Sequence, residues 1–477
     1  MKINSTLIPE CHVASGNGLS VSNPATGKEI ACVKDWSLAE IENAIVVAES
    51  AQKEWAAQPA KTRASTLKRW NDLILENQDE LATIITAECG KPIAEAKGEV
   101  AYGASFVEWF AEEGKRAYGD VIPHHAPGKR LMTIKQPVGV TAAITPWNFP
   151  LAMITRKVAP ALAAGCAMLV KPAEATPLTA LAIESLAHQA GIPQALFRIV
   201  TTADPVSVGK LFCSNAVIRK ISFTGSTAVG KILLEQCAGT VKRTSMELGG
   251  NAPFIVFDDA DIDAAVDGAL ASKFRNAGQT CVCANRFFVQ SSVYNSFVSK
   301  LAERVSKIKV GDGAKTDTEV GPLINKAGLE KVSRLVEDAV SKGAEAVTGG
   351  KRLTIGECFY EPTVLRDVTT EMDILHAEIF GPVAPITKFD TDDEVIALAN
   401  NTPYGLAAYF YAKDISRIWR VMEELEFGMV GINDGILSTE VAPFGGVKES
   451  GIGREGARLG LEEYLETKYA LIGGMMS

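Results

Sequence analysis

The most reactive side chains in this sequence are two cysteines one residue apart, Cys281 and Cys283, in the segment GQTCVCAN at 278–285. A thiolate is a strong nucleophile. Even when only a few per cent of a cysteine is present as thiolate at neutral pH, that fraction sustains a reaction. The pair also fits a metal site, a disulfide or buried thiols that pack as small hydrophobic groups. In an extended segment the two side chains share a face, which permits a regulatory disulfide. Spacing alone leaves these roles open.

The rest of the sequence argues against two of these roles. A metal site needs three or four converging ligands, but the chain has five histidines, none of them near the pair, and no second cysteine pair. We therefore predict no metal. The nine cysteines are odd in number and follow no repeating framework. In a chain of this length, that pattern favours reduced thiols over structural disulfides.

Two glycine segments are candidates for binding a phosphate. Gly451, Gly453 and Gly456 form a G-x-G-x-x-G pattern, but a polar stretch rather than a strand precedes it, and no suitably placed acidic residue follows. We interpret that segment as a flexible loop. The segment FTGS, with Gly225 and Ser226, instead connects a predicted strand to a predicted helix. A helix N-terminus in that position is suited to a phosphate.

Lys171 and Glu174 follow another predicted strand, in VKPAEATP. Ligands of open α/β sheets bind outside the carboxyl ends of the strands, so these residues are candidates for a binding site. A solvated lysine and a glutamate in the first turn of a helix explain them equally well.

The elements that must position these residues change along the chain. Residues 36–118 carry apolar residues at helical spacing, and short strands alternate with helices from about 138. One of these helices is predicted to begin at Pro177 after an N-cap at Thr176 and to end at Gly191, and another to begin after Asp204. A second alternating series runs from about 251 to 430. The alternation predicts an α/β fold with parallel sheets.

Two further strand candidates lie outside this alternation, near 131 and at the end of the chain. Strands outside the main pattern predict an arm that serves assembly.

Composition excludes some classes of function. The chain has 477 residues, which predicts two or three domains, and 47% of its residues are hydrophobic, as in ordinary globular proteins. A net charge of -9 argues against a general nucleic-acid binder. The longest apolar run, at 158–170, is shorter than the roughly 20 residues that span a bilayer. The N-terminal residues lack a signal-peptide core. We expect a cytoplasmic protein that binds neither nucleic acid nor membranes.

Several motifs, taken together, resemble the aldehyde dehydrogenase superfamily. MELGGNAPFIVFDDAD is followed by GQTCVCANR, and the chain also carries TPWNFPL, KPAEATP, FTGS, EIFGP and PFGGVKESGIGREG in the family's order. The match extends from NPATGKEI to YLETKYALI. The segments FRNAGQTCVCANR and MITRKVAPALAAGC are most similar to the succinate-semialdehyde dehydrogenases, and glutarate-semialdehyde enzymes are close relatives.

The resemblance implies a role for each matching residue. Cys281 corresponds to the nucleophile, Glu247 to the general base and Asn148 to the side-chain donor of the oxyanion hole. The cofactor contacts it implies are Pro146, Trp147, Lys171, Glu174, Gly225, Ser226, Leu248, Glu378 and Phe380. The implied binding group for the substrate carboxylate is Arg156, Arg275 and Ser438. Cys283 is a redox partner of Cys281 in some semialdehyde relatives.

The resemblance also implies the fold, the cofactor and the reaction. We expect a Rossmann-like NAD-binding domain at 1–120 and 140–250, an α/β catalytic domain at 251–435, and a small β oligomerisation arm at 121–139 and 455–477 of a homodimer or homotetramer. The expected cofactor is NAD, because the Glu174 carboxylate would repel a 2′-phosphate, while the adjacent Lys171 leaves room for NADP.

The expected reaction is oxidation of succinate semialdehyde, an aldehyde with a distal carboxylate. The alternative is a glutarate-semialdehyde or broad-specificity aldehyde dehydrogenase. A non-catalytic relative that kept the fold is the rival from another class, and the presence of Cys281, Glu247 and Asn148 argues against it.

Overall fold

The computed structural model describes residues 5–8 and 18–474. Its helices are α1 (Leu38–Ala56), α2 (Ala60–Glu76), α3 (Gln78–Cys89), α4 (Ile93–Glu113), α5 (Ala152–Ala164), α6 (Pro177–Gln189), α7 (Pro205–Ser214), α8 (Thr227–Ala238), α9 (Ile262–Lys273), α10 (Tyr294–Val305), α11 (Lys326–Ser341), α12 (Asp392–Asn400), α13 (Ile415–Glu424) and α14 (Ala457–Glu462). None of these helices is long and apolar enough to cross a membrane. The predicted helical stretch at 36–118 corresponds to α1–α4.

The strands are β1 (Leu19–Ser22), β2 (Glu29–Val33), β3 (Val121–Ile122), β4 (Arg130–Pro137), β5 (Val140–Ile144), β6 (Ala167–Lys171), β7 (Phe197–Ile199), β8 (Ile218–Thr224), β9 (Arg243–Glu247), β10 (Ala252–Val256), β11 (Ala284–Gln290), β12 (Glu345–Thr348), β13 (Arg352–Leu353), β14 (Phe359–Tyr360), β15 (Thr363–Arg366), β16 (Val383–Phe389), β17 (Tyr404–Gly405), β18 (Ala407–Tyr411), β19 (Met429–Ile432), β20 (Val447–Lys448), β21 (Gly451–Ile452) and β22 (Leu465–Ile472).

The first large sheet has the strand order β21-β9-β8-β5-β6-β7. Strands β5 to β9 are parallel, and β21 joins the edge antiparallel to β9. The chain builds outward from β5 to β6 and β7, then returns to place β8 on the other side of β5. That reversal opens a crevice at the carboxyl ends of β5 and β8, where ligands of doubly wound sheets bind. Strand β6 is buried throughout, as expected for a strand covered by helices on both faces.

The second large sheet has the order β12-β15-β16-β11-β10-β18-β19. Its strands are parallel except for β12, which runs antiparallel to β15. One face packs Phe254 and Phe287 into a core with α9, α10 and α11, and the other face packs Ile255 and Phe288 against α12 and α13. The two parallel sheets with crossover helices confirm the α/β fold class expected from the alternating pattern.

A third sheet, with the order β22-β4-β3, stands apart from the two large ones. The strands expected near 131 and at the C-terminal end are β4 and β22, and they pair antiparallel over their whole lengths, from Leu465 opposite Pro137 to Ile472 opposite Arg130. The domain boundaries and the assembly role of this sheet stay predictions. Residues 475–477 of the expected arm and residues 1–4 and 9–17 of the expected NAD-binding domain lie outside the described residues.

Local capping was predicted correctly at one helix and incompletely at another. The Asp204 side chain accepts a hydrogen bond from Ser207 N and begins α7, as its type indicates. Thr176 stands at the N-cap of α6 but makes no side-chain cap. The buried Glu88 of α3 instead accepts hydrogen bonds from Leu178 N and Thr179 N. A carboxylate distant in sequence therefore performs the capping that the local pattern assigned to Thr176.

The G-x-G-x-x-G segment is not the flexible loop expected from its composition. Gly451 and Ile452 form β21 and pair with Glu247 and Met246 at the sheet edge. A Cβ at Gly451 would lie 1.9 Å from Met246 O, and Gly451 has a φ of +145°. The glycine serves close strand pairing, and the segment that follows it carries Glu455 into the interior.

Candidate active site

A cavity of about 290 Å³ lies between the two large sheets. It faces the carboxyl ends of β5, β8 and β9 in the first sheet, and the segments that precede β10, β11 and β16 in the second. Nine residues singled out from the sequence line it together: Pro146, Trp147, Asn148, Gly225, Ser226, Leu248, Cys281, Glu378 and Phe380. The cavity therefore lies at the crevice where the strand order of the first sheet reverses.

Cys281 reaches this cavity from a turn just before β11. The turn follows a 3₁₀ segment, Arg275–Gly278, in which Asn276 and Ala277 have φ values of 50° and 55°. Left-handed backbone at residues other than glycine persists only where the surroundings hold it, and it clusters at functional sites. The Asn276 side-chain amide helps to stabilise this backbone conformation, because it donates hydrogen bonds to Asn148 O and Gln279 O.

The Gly249–Gly250 turn fixes the distance between β9 and Cys281. A Cβ at Gly250 would lie 2.5 Å from Cys281 O, so only a glycine allows this approach without a shift. Only Leu248 separates this turn from Glu247. The motif ELGG therefore brings the end of β9 against the backbone of the cysteine.

The Cys281 thiol is protonated over the ordinary pH range. Burial raises its pKa to about 12, while the guanidinium of Arg156 lowers it and the carboxyl groups of Glu378 and Glu247 raise it. Reaction at neutral pH therefore requires that the thiol lose its proton to a nearby group as it attacks. The Glu247 carboxyl is close enough to act on the thiol electrostatically.

Cys283 does not share a face with Cys281, because residues 281–283 form a turn rather than a strand. Its buried thiol donates to Ser272 O at 2.9 Å and lies 3.4 Å from Lys273 O, at the end of α9. The expectation of a common face was wrong for this physical reason. The regulatory disulfide stays a prediction, and it would require the turn to rearrange.

Glu247 ends β9 with a buried side chain, and no described residue donates a hydrogen bond to either carboxylate oxygen. Burial raises its pKa well above the usual value, the Glu455 carboxylate raises it further, and Arg156 and Lys157 act against both. Its neighbours Leu248 and Gly249 line the cavity. A carboxylate without partners and with a raised pKa is suited to accept a proton.

Glu455 is a residue that sequence reasoning missed. Its carboxylate is buried, pairs with Lys157, and lies 2.5 Å from the Arg156 Nε atom. Both cations belong to α5, so Glu455 joins that helix to the segment after β21. The sequence signal was a glutamate inside GREG, which had been assigned to a loop.

Arg156 acts electrostatically on the Cys281 thiol, but its guanidinium already has a carboxylate partner. Its side chain is 1% exposed, and its guanidinium lies 4.0 Å from the Phe444 ring centroid and next to Glu455. A substrate carboxylate at this position would compete with Glu455. Direct binding of substrate by Arg156 stays a prediction that this arrangement does not favour.

Asn148 follows β5 and presents its side chain to the cavity. Its Nδ2 donates to Gln279 O at 3.0 Å, and its buried Oδ1 has no hydrogen-bond partner among the described residues. The second Nδ2 hydrogen is available to an oxyanion formed at Cys281. Asn148 and Cys281 line the same cavity, and the oxyanion-hole role expected from the resemblance stays a prediction.

The part of the cavity lined by Ser226, Trp147, Glu378 and Phe380 is suited to an anion and a polyhydroxyl group. Ser226 caps α8, whose N-terminus borders the cavity, and Trp147 and Phe380 stack edge to face at 5.6 Å. The Glu378 carboxylate accepts from Gly250 N with Oε1, which leaves Oε2 for a ligand. Lys331 of α11 also lines the cavity, although no sequence motif had singled it out.

Lys171 and Glu174 lie outside this cavity and form an ion pair with each other. Lys171 is buried and also donates to Pro172 O at 2.9 Å, whereas the Glu174 side chain is 40% exposed. Lys171 ends β6 and Glu174 follows it, next to β5 in the sheet. The carboxylate is thus the accessible member of the pair.

A second cavity, of about 750 Å³, contains Arg275 together with Glu95, Arg304 and Ile436. Ile436 belongs to the segment that carries Ser438, which is half-buried. Arg275 and the Ser438 segment therefore border the same space. Sequence reasoning missed Tyr102, whose buried hydroxyl has no hydrogen-bond partner among the described residues. Burial raises the pKa of Tyr102, and Arg156 and Arg275 act against that rise.

Comparison with known proteins identifies the family. The model of the aldehyde dehydrogenase family matches residues 12–470. A glutarate-semialdehyde dehydrogenase from Pseudomonas putida (strain KT2440) is 57% identical over 458 residues, 96% of this chain and 95% of that protein. A succinate-semialdehyde dehydrogenase (NADP(+)) from Escherichia coli strain K12 is 56% identical over 459 residues, with 96% and 95% covered.

The fold agrees with this match. The crystal structure of succinate-semialdehyde dehydrogenase from Burkholderia pseudomallei superimposes with a TM-score of 0.97 at 53% identity and covers 99% of each chain. Both sequence and fold thus give the same assignment: the chain belongs to the aldehyde dehydrogenase family.

Proposed function

We propose that this enzyme oxidises succinate semialdehyde to succinate with NAD(P), through a covalent adduct on Cys281. The observation that carries the proposal is the meeting of Cys281 and Asn148 in one cavity with the α8 N-terminus, Trp147 and Glu378. The family match supports the reaction type, and the names of the similar proteins, for succinate and glutarate semialdehydes, support the substrate class.

The residues that line the cavity fit a dinucleotide. The free N–H groups of the α8 N-terminus suit the pyrophosphate. The free Oε2 of Glu378 suits a ribose hydroxyl, and the Trp147–Phe380 pair suits a flat ring. NAD(P) bound there supplies a hydride acceptor beside the sulfur of Cys281.

The remaining steps belong to side chains of this protein. Glu247 accepts the proton of the Cys281 thiol as the sulfur attacks the aldehyde carbon, and it passes that proton to solvent before hydrolysis begins. The carbon becomes tetrahedral, and the carbonyl oxygen becomes an oxyanion. Asn148 Nδ2 donates a hydrogen bond to that oxygen, and one such donor is typically worth about 3–4 kcal/mol in the transition state. After hydride loss, a thioester joins the acyl group to Cys281.

Glu247 completes the cycle by accepting a proton from water. The resulting hydroxide adds to the thioester carbon, the C–S bond breaks, and the carboxylic acid and the Cys281 thiol are released. The raised pKa of Glu247 keeps its conjugate acid able to return the proton.

The substrate carboxylate is proposed to bind toward the second cavity. Arg275 offers a guanidinium there, and Ser438 belongs to the bordering segment. The Tyr102 hydroxyl, which has no hydrogen-bond partner among the described residues, lies within electrostatic range of Arg275. A guanidinium binds a carboxylate in a planar, two-pronged geometry. Glutarate semialdehyde is the alternative substrate, because one methylene changes binding by only about 1–3 kcal/mol.

The test is a series of ω-semialdehydes of increasing chain length, ranked by kcat/KM, with butyraldehyde as the uncharged reference. We expect the four-carbon semialdehyde to rank first and a burst of NAD(P)H to precede steady turnover. A higher kcat/KM for the five-carbon substrate would select the alternative, and equal values for charged and uncharged aldehydes would refute the carboxylate site.

We also propose that the sheet β22-β4-β3 joins copies of the chain into a homodimer or homotetramer. Val121, Tyr469, Leu471 and Ile472 expose apolar side chains on this sheet. Clustered apolar exposure marks protein contacts. Sedimentation measurements on the intact chain and on a Leu471→Glu variant test this: the variant should dissociate, and unchanged sedimentation would refute the proposal.

A further inference from the structure

The loop that carries Asn148 rests on an ion pair buried well away from solvent. Lys91, between α3 and α4, pairs with Glu99 of α4 at 2.5 Å, and the two side chains are 1% and 0% exposed. Burying two charges costs several kcal/mol per ion unless good geometry and further hydrogen bonds compensate. The partners that provide that compensation are therefore informative.

Lys91 contacts the backbone of the proposed oxyanion donor itself. Its Nζ donates to Asn148 O at 2.9 Å and lies 3.7 Å from the centroid of the Phe149 ring. The Asn276 side chain donates to the same carbonyl at 3.1 Å. The Cys89 thiol is a third, longer donor to this carbonyl, at 4.0 Å. Asn148 is thus held from its backbone while its side chain contacts Gln279 and the cavity.

Glu99 holds the other end of the same loop. Its Oε1 accepts from Leu151 N at 2.9 Å and from Ala152 N at 3.3 Å. These are the first groups of α5, which has no side-chain cap from its own N-cap residue. Helix N-termini leave such N–H groups unsatisfied, and a carboxylate there is favourable. One ion pair therefore fixes the loop on both sides of Phe149 and Pro150.

We propose that Lys91 and Glu99 are positioning residues that hold Asn148 at the oxyanion of the adduct on Cys281. The inference rests on the proposed function, because it acts through the oxyanion role of Asn148. Neither residue lines the cavity, and both act on the reaction only through the loop. Removal of the pair lets the Asn148 amide drift relative to the sulfur.

The experiment is a mutant cycle read by the NAD(P)H burst. The variants are Lys91→Met/Glu99→Gln, which removes both charges of the buried ion pair together, Asn148→Ala, and their combination. We expect the pair variant to slow the burst about 10- to 100-fold, the range for a misplacement of roughly 1 Å. In the Asn148→Ala background, the same changes should cause no further loss. An independent, multiplicative loss would overturn the proposal.

A second readout separates positioning from general damage. Alkylation of Cys281 by iodoacetamide forms no oxyanion, so its rate should stay unchanged in the pair variant while the aldehyde burst falls. Lys220→Met is the matched control, since Lys220 is equally buried but pairs with Glu463 away from the cavity, 3.1 Å from its carboxylate. The control should lower thermal stability without slowing the burst. Equal losses of alkylation and burst in the pair variant would overturn the inference.

The failure of this inference is distinguishable from the failure of the proposed function. A normal burst from Asn148→Ala would refute the oxyanion role itself. A slow burst from Asn148→Ala beside a normal burst from the pair variant would refute only the positioning role.

Discussion

The Arg156 Nε atom lies 2.5 Å from Glu455 Oε2, inside the protein and next to the carboxyl group of Glu247. Lys157 pairs with the other oxygen of Glu455. Three cations, Arg156, Lys157 and Arg454, and one carboxylate, Glu455, thus act electrostatically on the proposed base. Burial is the largest cause of its raised pKa, and Glu455 adds to it while Arg156 and Lys157 oppose it. The charge of Glu455 therefore contributes to the pH range in which Glu247 accepts protons.

The variant Glu455→Gln should shift the acidic limb of the kcat profile to lower pH. Without the Glu455 charge, Arg156 and Lys157 act on Glu247 uncompensated, so its pKa falls and its basic form persists into more acidic solution. The measurement is kcat against pH under conditions where thioester hydrolysis limits turnover. Glu449→Gln is the control, because Glu449 makes an exposed ion pair with Lys231. An unshifted limb would show that Glu455 does not act on the base.

Alkylation of Cys281 in the free enzyme should accelerate steadily with pH. Burial raises its pKa to about 12, so the thiolate fraction should rise about tenfold per pH unit from 7 to 10 without a plateau. Iodoacetamide consumption, with Cys281→Ser as the blank, gives the rate. A plateau near pH 8 would mean that the thiol is activated without ligands.

The chain order of motifs predicted much of this site, and the reason is physical. Gly225, Ser226 and Asn148 follow strands whose carboxyl ends meet at the strand-order reversal, so a correct reading of the alternation places them together. Asp204 was recognised as a cap because capping depends on neighbours three residues away.

The parts that sequence did not predict depend on contacts between distant residues. Glu88 caps α6 from 90 residues away, and Glu455 pairs with α5 across about 300 residues. No local spacing encodes either contact. The prediction that Cys281 and Cys283 lie in an extended segment was wrong for a related reason. Residues 281–283 form a turn, and the alternation of side chains along a strand does not apply to a turn.

Arg275→Ala should lower kcat/KM for succinate semialdehyde about 10- to 100-fold and that for butyraldehyde much less. A charge-assisted hydrogen bond is worth about 1.5–3 kcal/mol, and only the first substrate has the carboxylate to receive it. Arg304→Ala is the matched control, because Arg304 borders the same cavity but pairs with Asp267 and is exposed. Equal losses for the two substrates would remove the carboxylate-binding role of Arg275.

Glu174→Gln should raise the ratio of kcat/KM with NADP to that with NAD. The change removes the exposed carboxylate that would repel a 2′-phosphate and frees the Lys171 ammonium from its ion pair. The control is Glu235→Gln, the same loss of charge at an exposed site on α8. Initial rates with both cofactors test this. An unchanged ratio would mean that neither residue contacts the ribose.

Gly250→Ala should impair the reaction of Cys281 more than it impairs folding. The added Cβ would lie 2.5 Å from Cys281 O, so the turn after Glu247 and the turn that carries the sulfur must separate. A misplacement of roughly 1 Å reduces rates by about 100-fold, and both the burst and the alkylation rate of Cys281 should register it. Gly239→Ala is the control, since a Cβ at Gly239 meets nothing within 4 Å and its φ is -63°. A normal burst from Gly250→Ala would show that the two turns separate without moving the sulfur, and the close approach would then have no role in catalysis.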